Sequence, residues 1–303
     1  MTHVDLSGKV AVVTGSGRGL GLAYARSLAA AGAAVVVNDV DADAAVEAVR
    51  LITADGGRAV AEVVPVGSTE AAEALVARAV DSYGRLDVMV TNAGILRDRV
   101  LWKMTDEDFD AVVEVHLRGT FTCVRAAVER MRAQGGGGRI VVAGSPAGQR
   151  GNFGQTNYAA AKAGIAAMVR TWGLELAKAG ITANAVIPVA ATAMTKTIPA
   201  FAPHVEALER DGVAFPDSLR KGEGFGTPED VAGLVTFLAS DAAAGVTGQC
   251  VGVGGDRLSL WSHPREVSVA YADGGWSAEA VAAAWPVTVG RVPETFGIPA
   301  PQL

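Results

Sequence analysis

Cysteine is scarce: Cys123 and Cys250 are the only two in 303 residues, and they have neither metal-ligand nor disulfide-framework spacing. No metal site is expected, a catalytic thiol is disfavoured, and two buried thiols in a reducing compartment are expected instead. An excess of basic charge is missing too. With a net charge of −6 and no long run of like charges, the chain has little attraction for a phosphate backbone, so nucleic acid is a poor partner. No apolar run is long enough for a membrane span, and the opening residues MTHVDLSGKV lack the pattern of a secretory leader. A cytoplasmic protein is the expectation. At 50% hydrophobic and 19% charged residues the chain can bury a large core, and no repeat or linker divides it.

What is present is alternation. Short apolar strands at 10–13, 34–38, 59–64, 86–91, 139–143, 181–187 and 249–253 are separated by helical stretches at 41–54, 69–83 and 105–132, the last with Gly119 as a weak point. Strands that alternate with helices predict a single α/β domain, Rossmann-like, with a doubly wound parallel sheet covered on both faces.

The first strand runs into Thr14-Gly15-Ser16-Gly17-Arg18-Gly19-Leu20-Gly21, and an Ala- and Leu-rich helical segment follows. Glycines there let backbone N–H groups and the positive end of the helix approach a diphosphate without interference from Cβ atoms. The spacing is G-x-x-x-G-x-G and departs from the strict G-x-G-x-x-G form. Asp39, at the end of the second strand, is placed to accept hydrogen bonds from an adenosine ribose and to repel a 2′-phosphate, which favours NAD over NADP. Asp39 has a second reading as the cap of the helix that begins near Asp41. Arg18 points the other way, because a guanidinium in the turn can pair with a 2′-phosphate. Asn92, Ala93 and Gly94 follow the fourth strand, at an edge where open sheets bind ligands; Asn92 either fixes the sheet, contacts the cofactor, or does both.

The fifth strand leads to Ser145, and thirteen residues further on stands Tyr158, four residues before Lys162. On a helix beginning near Asn157 the last two share one face. A phenol ionises near pKa ~10 and becomes a useful base at neutrality only beside a fixed positive charge, which Lys162 can supply. Ser145 offers a hydroxyl to hold a substrate oxygen. A Tyr-x-x-x-Lys pair alone says little; with a hydride carrier bound in the same chain it describes alcohol oxidation. The roughly forty residues from 189 to 226 have little periodicity and carry Met194, Phe201, Leu208, Phe215 and Phe225. They read as a substrate lid or as an excursion packing its own cluster.

In this order, the glycine turn, Asp39, Asn92-Ala93-Gly94, Ser145 and Tyr158-x-x-x-Lys162 resemble the short-chain dehydrogenase/reductase family over residues 5–255. The resemblance implies a seven-stranded Rossmann sheet, Ser145, Tyr158 and Lys162 as the catalytic core, and a cofactor site of Gly15, Ser16, Arg18, Gly19, Leu20, Gly21, Asp39, Asn92, Ala93, Gly94, Tyr158, Lys162 and Pro188. It also implies a homo-oligomer, dimer or tetramer. ILRDR at 95–99, VHLRG at 115–119, GNFGQTNYAAAK at 151–162 and Trp276 and Trp285 in the tail are similar to the (3R)-hydroxyacyl-CoA dehydrogenase domains of the type 2 multifunctional enzymes, which are also grouped with hydroxysteroid dehydrogenases. That likeness implies a lipid-like alcohol, an acyl-CoA or a steroid. His116 stands where most of the family has Asn; it either relays a proton or is structural. Pro188 precedes Val189 where the family has Gly, and Gly67 replaces an Asp beside the adenine. Arg97, Arg99 and Lys103 either meet CoA phosphates or form a solvated face. The residues 256–303 form an extension packed on the domain or at a subunit interface, or bordering the substrate site. Two rival functions are an NADPH-dependent 3-oxoacyl reductase and a non-catalytic NAD-binding sensor or scaffold.

Overall fold

VAVV at β1 (Val10–Val13) and AVVVN at β2 (Ala34–Asn38) are apolar at nearly every position because helices cover both faces of these strands. The computed structural model describes residues 4–192, 195–197 and 201–298. Along the chain, α1 (Gly19–Ala30) joins β1 to β2, and α2 (Ala42–Ala54) leads to β3 (Arg58–Glu62). Then α3 (Thr69–Tyr83) leads to β4 (Val88–Thr91), and α4 (Asp106–Val113) and α5 (Gly119–Gln134) lead to β5 (Gly138–Ala143). Next come α6 (Pro146–Arg150), α7 (Thr156–Glu175) and β6 (Ile181–Pro188), followed by α8 (Ala202–Asp211) and α9 (Pro228–Ala239). The last elements are β7 (Cys250–Gly254), β8 (Arg257–Trp261) and α10 (Ala278–Ala284).

The strands lie in the order β3-β2-β1-β4-β5-β6-β7-β8. Reversal of strand order between β1 and β4 opens a crevice at their carboxyl ends, where doubly wound sheets bind ligands. Side chains alternate across the sheet: Val13, Val35, Val37 and Val90 pack with Tyr24 and Leu28 of α1 and Val235 of α9. Val12, Val36, Met89 and Ile140 pack on the other face with Leu75 of α3, Met131 of α5 and Ile165 of α7. Both cysteines are buried, as expected of inert thiols.

Two features depart from the sequence expectation. The sheet has eight strands, because β8 pairs antiparallel with β7. Gly254 opposes Arg257 across the two-residue turn Gly255-Asp256, and Gly255, at φ +51, adopts the positive φ that a tight hairpin needs. The helical stretch 105–132 is also not one α-helix. A π turn at Glu114–Arg118 separates α4 from α5, directly before Gly119.

In the stretch after β6, Phe201, Val205, Phe215, Leu219 and Phe225 form a small core of their own, with the rings of Phe201 and Phe225 stacked at 4.2 Å. Met194 lies outside the described residues. Arg220 ties this stretch to α9 and to the β7–β8 turn by ion pairs with Asp230 at 3.1 Å and Asp256 at 2.6 Å. Among the described residues no helix is long and apolar enough to cross a membrane.

Candidate active site

The turn after β1 is held by the segment after β4. The Thr14 hydroxyl accepts the N–H groups of Asn92 at 3.0 Å and Ala93 at 3.1 Å. The Asn92 amide donates to the carbonyls of Thr14 at 3.2 Å and Gly15 at 3.0 Å. Asn92 therefore fixes the glycine turn itself. The glycines are sterically required: a Cβ on Gly21 would stand 2.1 Å from the Gly15 carbonyl oxygen, and one on Gly15 would stand 2.7 Å from Ala93 Cα. Gly19 is different, with φ +56 and no atom within 4 Å of where its Cβ would be. That open space faces the start of α1, whose Ncap residue Arg18 supplies no capping oxygen. Uncapped N–H groups, a positive helix end and a cleared approach fit the diphosphate of a dinucleotide.

Asp39 accepts the Gly17 N–H at 3.0 Å and the Asp41 N–H at 3.1 Å. The cap of α2 is Asp41, which accepts the Ala44 N–H at 3.1 Å, so the capping reading of Asp39 falls. Arg18 is ion-paired with Asp41. Ser16 is fully buried, donating to the Val13 carbonyl at 2.7 Å and accepting from the Asn38 N–H at 3.1 Å, so its hydroxyl serves the turn. Leu20 packs on the core beside α1, and Pro188 ends β6 opposite Val253.

At the carboxyl end of β5, Ser145 caps α6 by accepting the Ala147 N–H at 3.2 Å. Gly148 then lets α6 lie directly against α7, since a Cβ there would be 2.7 Å from Lys162 Cβ. Lys162 is buried and donates to the Ala143 carbonyl at 2.5 Å, with Nζ 5.7 Å from the Tyr158 ring centre. Burial brings its ammonium down to about 7. Burial also raises the Tyr158 phenol, the Ser145 hydroxyl bonded to it opposes that rise, and the Asp98 carboxylate adds to it.

His116 lies in the π turn with its ring edge-on to Tyr158 at 5.1 Å. Its Nε2 meets both the N–H of Ile95 at 3.0 Å and the carbonyl of Ile95 at 2.8 Å, while its buried Nδ1 has no hydrogen-bond partner. Burial, with the nearby Lys162 charge, pulls the imidazole down to about 3, so it is neutral at physiological pH. Gly94 makes room for it, because a Cβ at 94 would sit 2.2 Å from His116 Cε1.

Sequence reasoning gave no role to Asn157. This side chain is fully buried, donates to the carbonyls of Arg97 at 3.1 Å and Asp108 at 2.9 Å, and accepts the Tyr158 N–H at 2.8 Å. It pins the first turn of α7, and with it Tyr158, to the segment after β4. A polar residue just before the tyrosine is its sole signal in the sequence. Of the three cations considered for CoA, Arg99 pairs with Asp108 at 2.8 Å, while Arg97 and Lys103 are exposed.

Ser145, Tyr158 and Lys162 thus meet beside a dinucleotide-shaped turn at one sheet edge, the constellation of an alcohol oxidoreductase. Residues 15–255 match the family described as Enoyl-(Acyl carrier protein) reductase. The chain belongs to the short-chain dehydrogenase/reductase family, whose members use nicotinamide cofactors. It is 44% identical over 282 residues to the hydroxyacyl-CoA dehydrogenase ChsB1 of Mycobacterium tuberculosis, covering 89% of this chain and 84% of that one. The 3-oxoacyl-[acyl-carrier-protein] reductase FabG of Thermotoga maritima is 39% identical over 82% of this chain and 98% of its own. The peroxisomal multifunctional enzyme type 2 of Mus musculus is 45% identical over 68% of this chain, which spans 29% of that longer protein.

Proposed function

We propose that the chain is an NAD-dependent dehydrogenase that oxidises a secondary alcohol to a ketone on a lipid-like substrate, a 3-hydroxyacyl-CoA in preference to a hydroxysteroid. The observation that carries the reading is the approach of the Ser145 hydroxyl to the Tyr158 phenol with Lys162 buried one turn along the same helix. Ser145 holds the substrate oxygen. Tyr158, ionised, takes the hydroxyl proton, and the Lys162 ammonium stabilises the phenolate and binds the nicotinamide ribose. A nicotinamide cofactor, when bound, would supply the hydride acceptor for the same carbon. Gly15, Gly19, Gly21 and the start of α1 hold its diphosphate, with Asn92, Ala93 and Gly94 shaping the wall opposite. His116 remains neutral, and its unpartnered Nδ1 suits a relay that passes a proton between neutral tautomers.

Asp39 supports NAD, since a carboxylate held against the glycine turn suits an adenosine ribose and disfavours a 2′-phosphate, and Arg18 is occupied by Asp41. Acyl-CoA is favoured by the hydroxyacyl-CoA dehydrogenase relative and by the exposed Arg97 and Lys103, which suit phosphate groups. The reductase relative favours the second reading, an NADPH-dependent 3-oxoacyl reductase. The stretch 189–226 is assigned to cover the substrate, with its phenylalanine cluster as the stiffening core of the cover. A cytoplasmic homo-oligomer completes the reading.

The test is cofactor reduction by purified protein with (3R)- and (3S)-hydroxyacyl-CoA esters and hydroxysteroids, each with NAD and with NADP. NAD-linked turnover of one hydroxyacyl-CoA enantiomer is expected. Turnover confined to steroids overturns the acyl-CoA assignment, and preference for the phosphorylated cofactor overturns the NAD assignment. Cofactor binding without turnover on any alcohol favours the sensor or scaffold.

A further inference from the structure

Past β3 the chain does not stay over its own strand. The Asn38 side-chain amide donates to the carbonyls of Glu62 at 3.0 Å and Val64 at 2.9 Å, which ties the chain leaving β3 to the end of β2. Three residues on, the Gly67 carbonyl accepts the Arg118 Nε–H at 2.9 Å, and a Cβ on Gly119 would meet Val66 at 3.1 Å. In the strand order β3-β2-β1-β4, the segment 64–67 therefore spans from the end of β2 to the π turn that follows β4. It does so on the face covered by α3 and α5, whereas Asp39 leads into α2 on the other face. The adenosine half of the crevice thus has two walls, Asp39 and Val40 on one side and 64–67 with the π turn on the other.

The second wall carries an uncommitted carboxylate. Gly67 brings no side chain to it: its φ is +130, and a Cβ there would stand 3.2 Å from Glu114 Cγ and 3.5 Å from Glu114 Oε1. The Glu114 side chain thus lies against the position that a side chain at 67 would take. Glu114 is exposed, and among the described residues its carboxylate makes no hydrogen bond or ion pair. Arg118, four residues on, is drawn to the Gly67 carbonyl instead. On the first wall, Val40 is 69% exposed beside Asp39. An apolar side chain and an acceptor-only group on opposite walls suit a flat base with an exocyclic amine to donate.

We propose that Glu114 reads the base of the dinucleotide, its carboxylate accepting the exocyclic amine of adenine at the place that Gly67 leaves open. The inference rests on the dinucleotide-dependent reading above and adds to it the group that selects the base.

The test is calorimetric titration of the free protein with NAD and with nicotinamide hypoxanthine dinucleotide, in which a carbonyl oxygen replaces the amine, for wild type, Glu114→Ala and Glu114→Gln. Wild type should bind NAD about tenfold more tightly than the hypoxanthine form, because a carboxylate accepts from an amine and repels a carbonyl oxygen. Glu114→Ala should bring the two affinities to within about threefold, and Glu114→Gln, whose amide can donate as well as accept, should tighten the hypoxanthine form. Thermal melts report the fold, and the glutamine variant keeps the shape of the side chain if alanine disturbs the π turn. A wild type that binds both dinucleotides equally, a preference for NAD that survives in both variants, or an equal loss of both dinucleotides in both variants would overturn the proposal while leaving the dehydrogenase reading intact. Absence of binding of either dinucleotide to wild type would sink the two together.

Discussion

The glycine turn after β1 and the segment 262–298 are both largely irregular chain, and they are built in opposite ways. In the turn, steric contact and hydrogen bonds fix each position: Gly21 against the Gly15 carbonyl, Asn92 on two carbonyls, Asp39 on the Gly17 N–H. In the tail, Tyr271 and Phe296 are each 90% exposed, and three hydrogen bonds between Arg150 and residues Thr295 and Gly297 lie near its end. A bound diphosphate demands one backbone shape, whereas an exposed segment tolerates variety. Rigidity lies at the turn, and exposed apolar surface lies in the tail.

The comparison is sharpened first at Tyr158. Tyr158→Phe should lower turnover by about 10²–10⁴-fold while NAD affinity stays within about threefold, as read by steady-state kinetics and cofactor titration. Retained turnover would remove the phenol from the mechanism. Next, Gly21→Ala forces a Cβ onto the Gly15 carbonyl at 2.1 Å and should weaken NAD binding by roughly a hundredfold or abolish the fold. Calorimetry checks the first outcome and circular dichroism the second; unaltered affinity would mean the turn is not over-determined. Asn157→Ala leaves two carbonyls and an N–H without their partner, which should remove about 1–3 kcal/mol of stability and lower kcat along with it. Thermal melts and kcat together test that coupling. The smallest effect is expected at the ribose: Asp39→Ser should move the NAD to NADP affinity ratio about tenfold toward NADP.

The turn was legible because its constraints are local. Glycine spacing, a strand before and a helix after are all contained within a dozen residues, and Tyr158 and Lys162 share one helix turn for the same reason. Ser145 was legible because strand order brings the carboxyl ends of parallel strands to one edge. Asn157 was not, because its partners at Arg97 and Asp108 are distant in sequence and are backbone carbonyls with no side-chain signature. β8 escaped because its strand signal is short and its pairing depends on the Gly255-Asp256 turn. The π turn was hidden as well: Gly119 hinted at a weak point, but only the structure places His116 within the irregular turn and against Gly94. The hydrogen bonds of Arg150 to Thr295 and Gly297 join residues that no periodicity relates.

The most direct measurement is the pH dependence of kcat/KM for NAD-linked oxidation of a 3-hydroxyacyl-CoA, from about pH 5 to pH 10, in wild type and Tyr158→Phe. Burial raises the phenol and lowers Lys162 to about 7, so the free protein holds Tyr158 protonated at neutral pH. Oxidation requires the phenolate. The rate in wild type should therefore rise with pH as the Tyr158–Lys162 pair gives up its proton, and the rise should vanish in Tyr158→Phe. A wild-type profile that is flat or falls with pH, or a variant that keeps the rise, would contradict a Tyr158 base supported by Lys162.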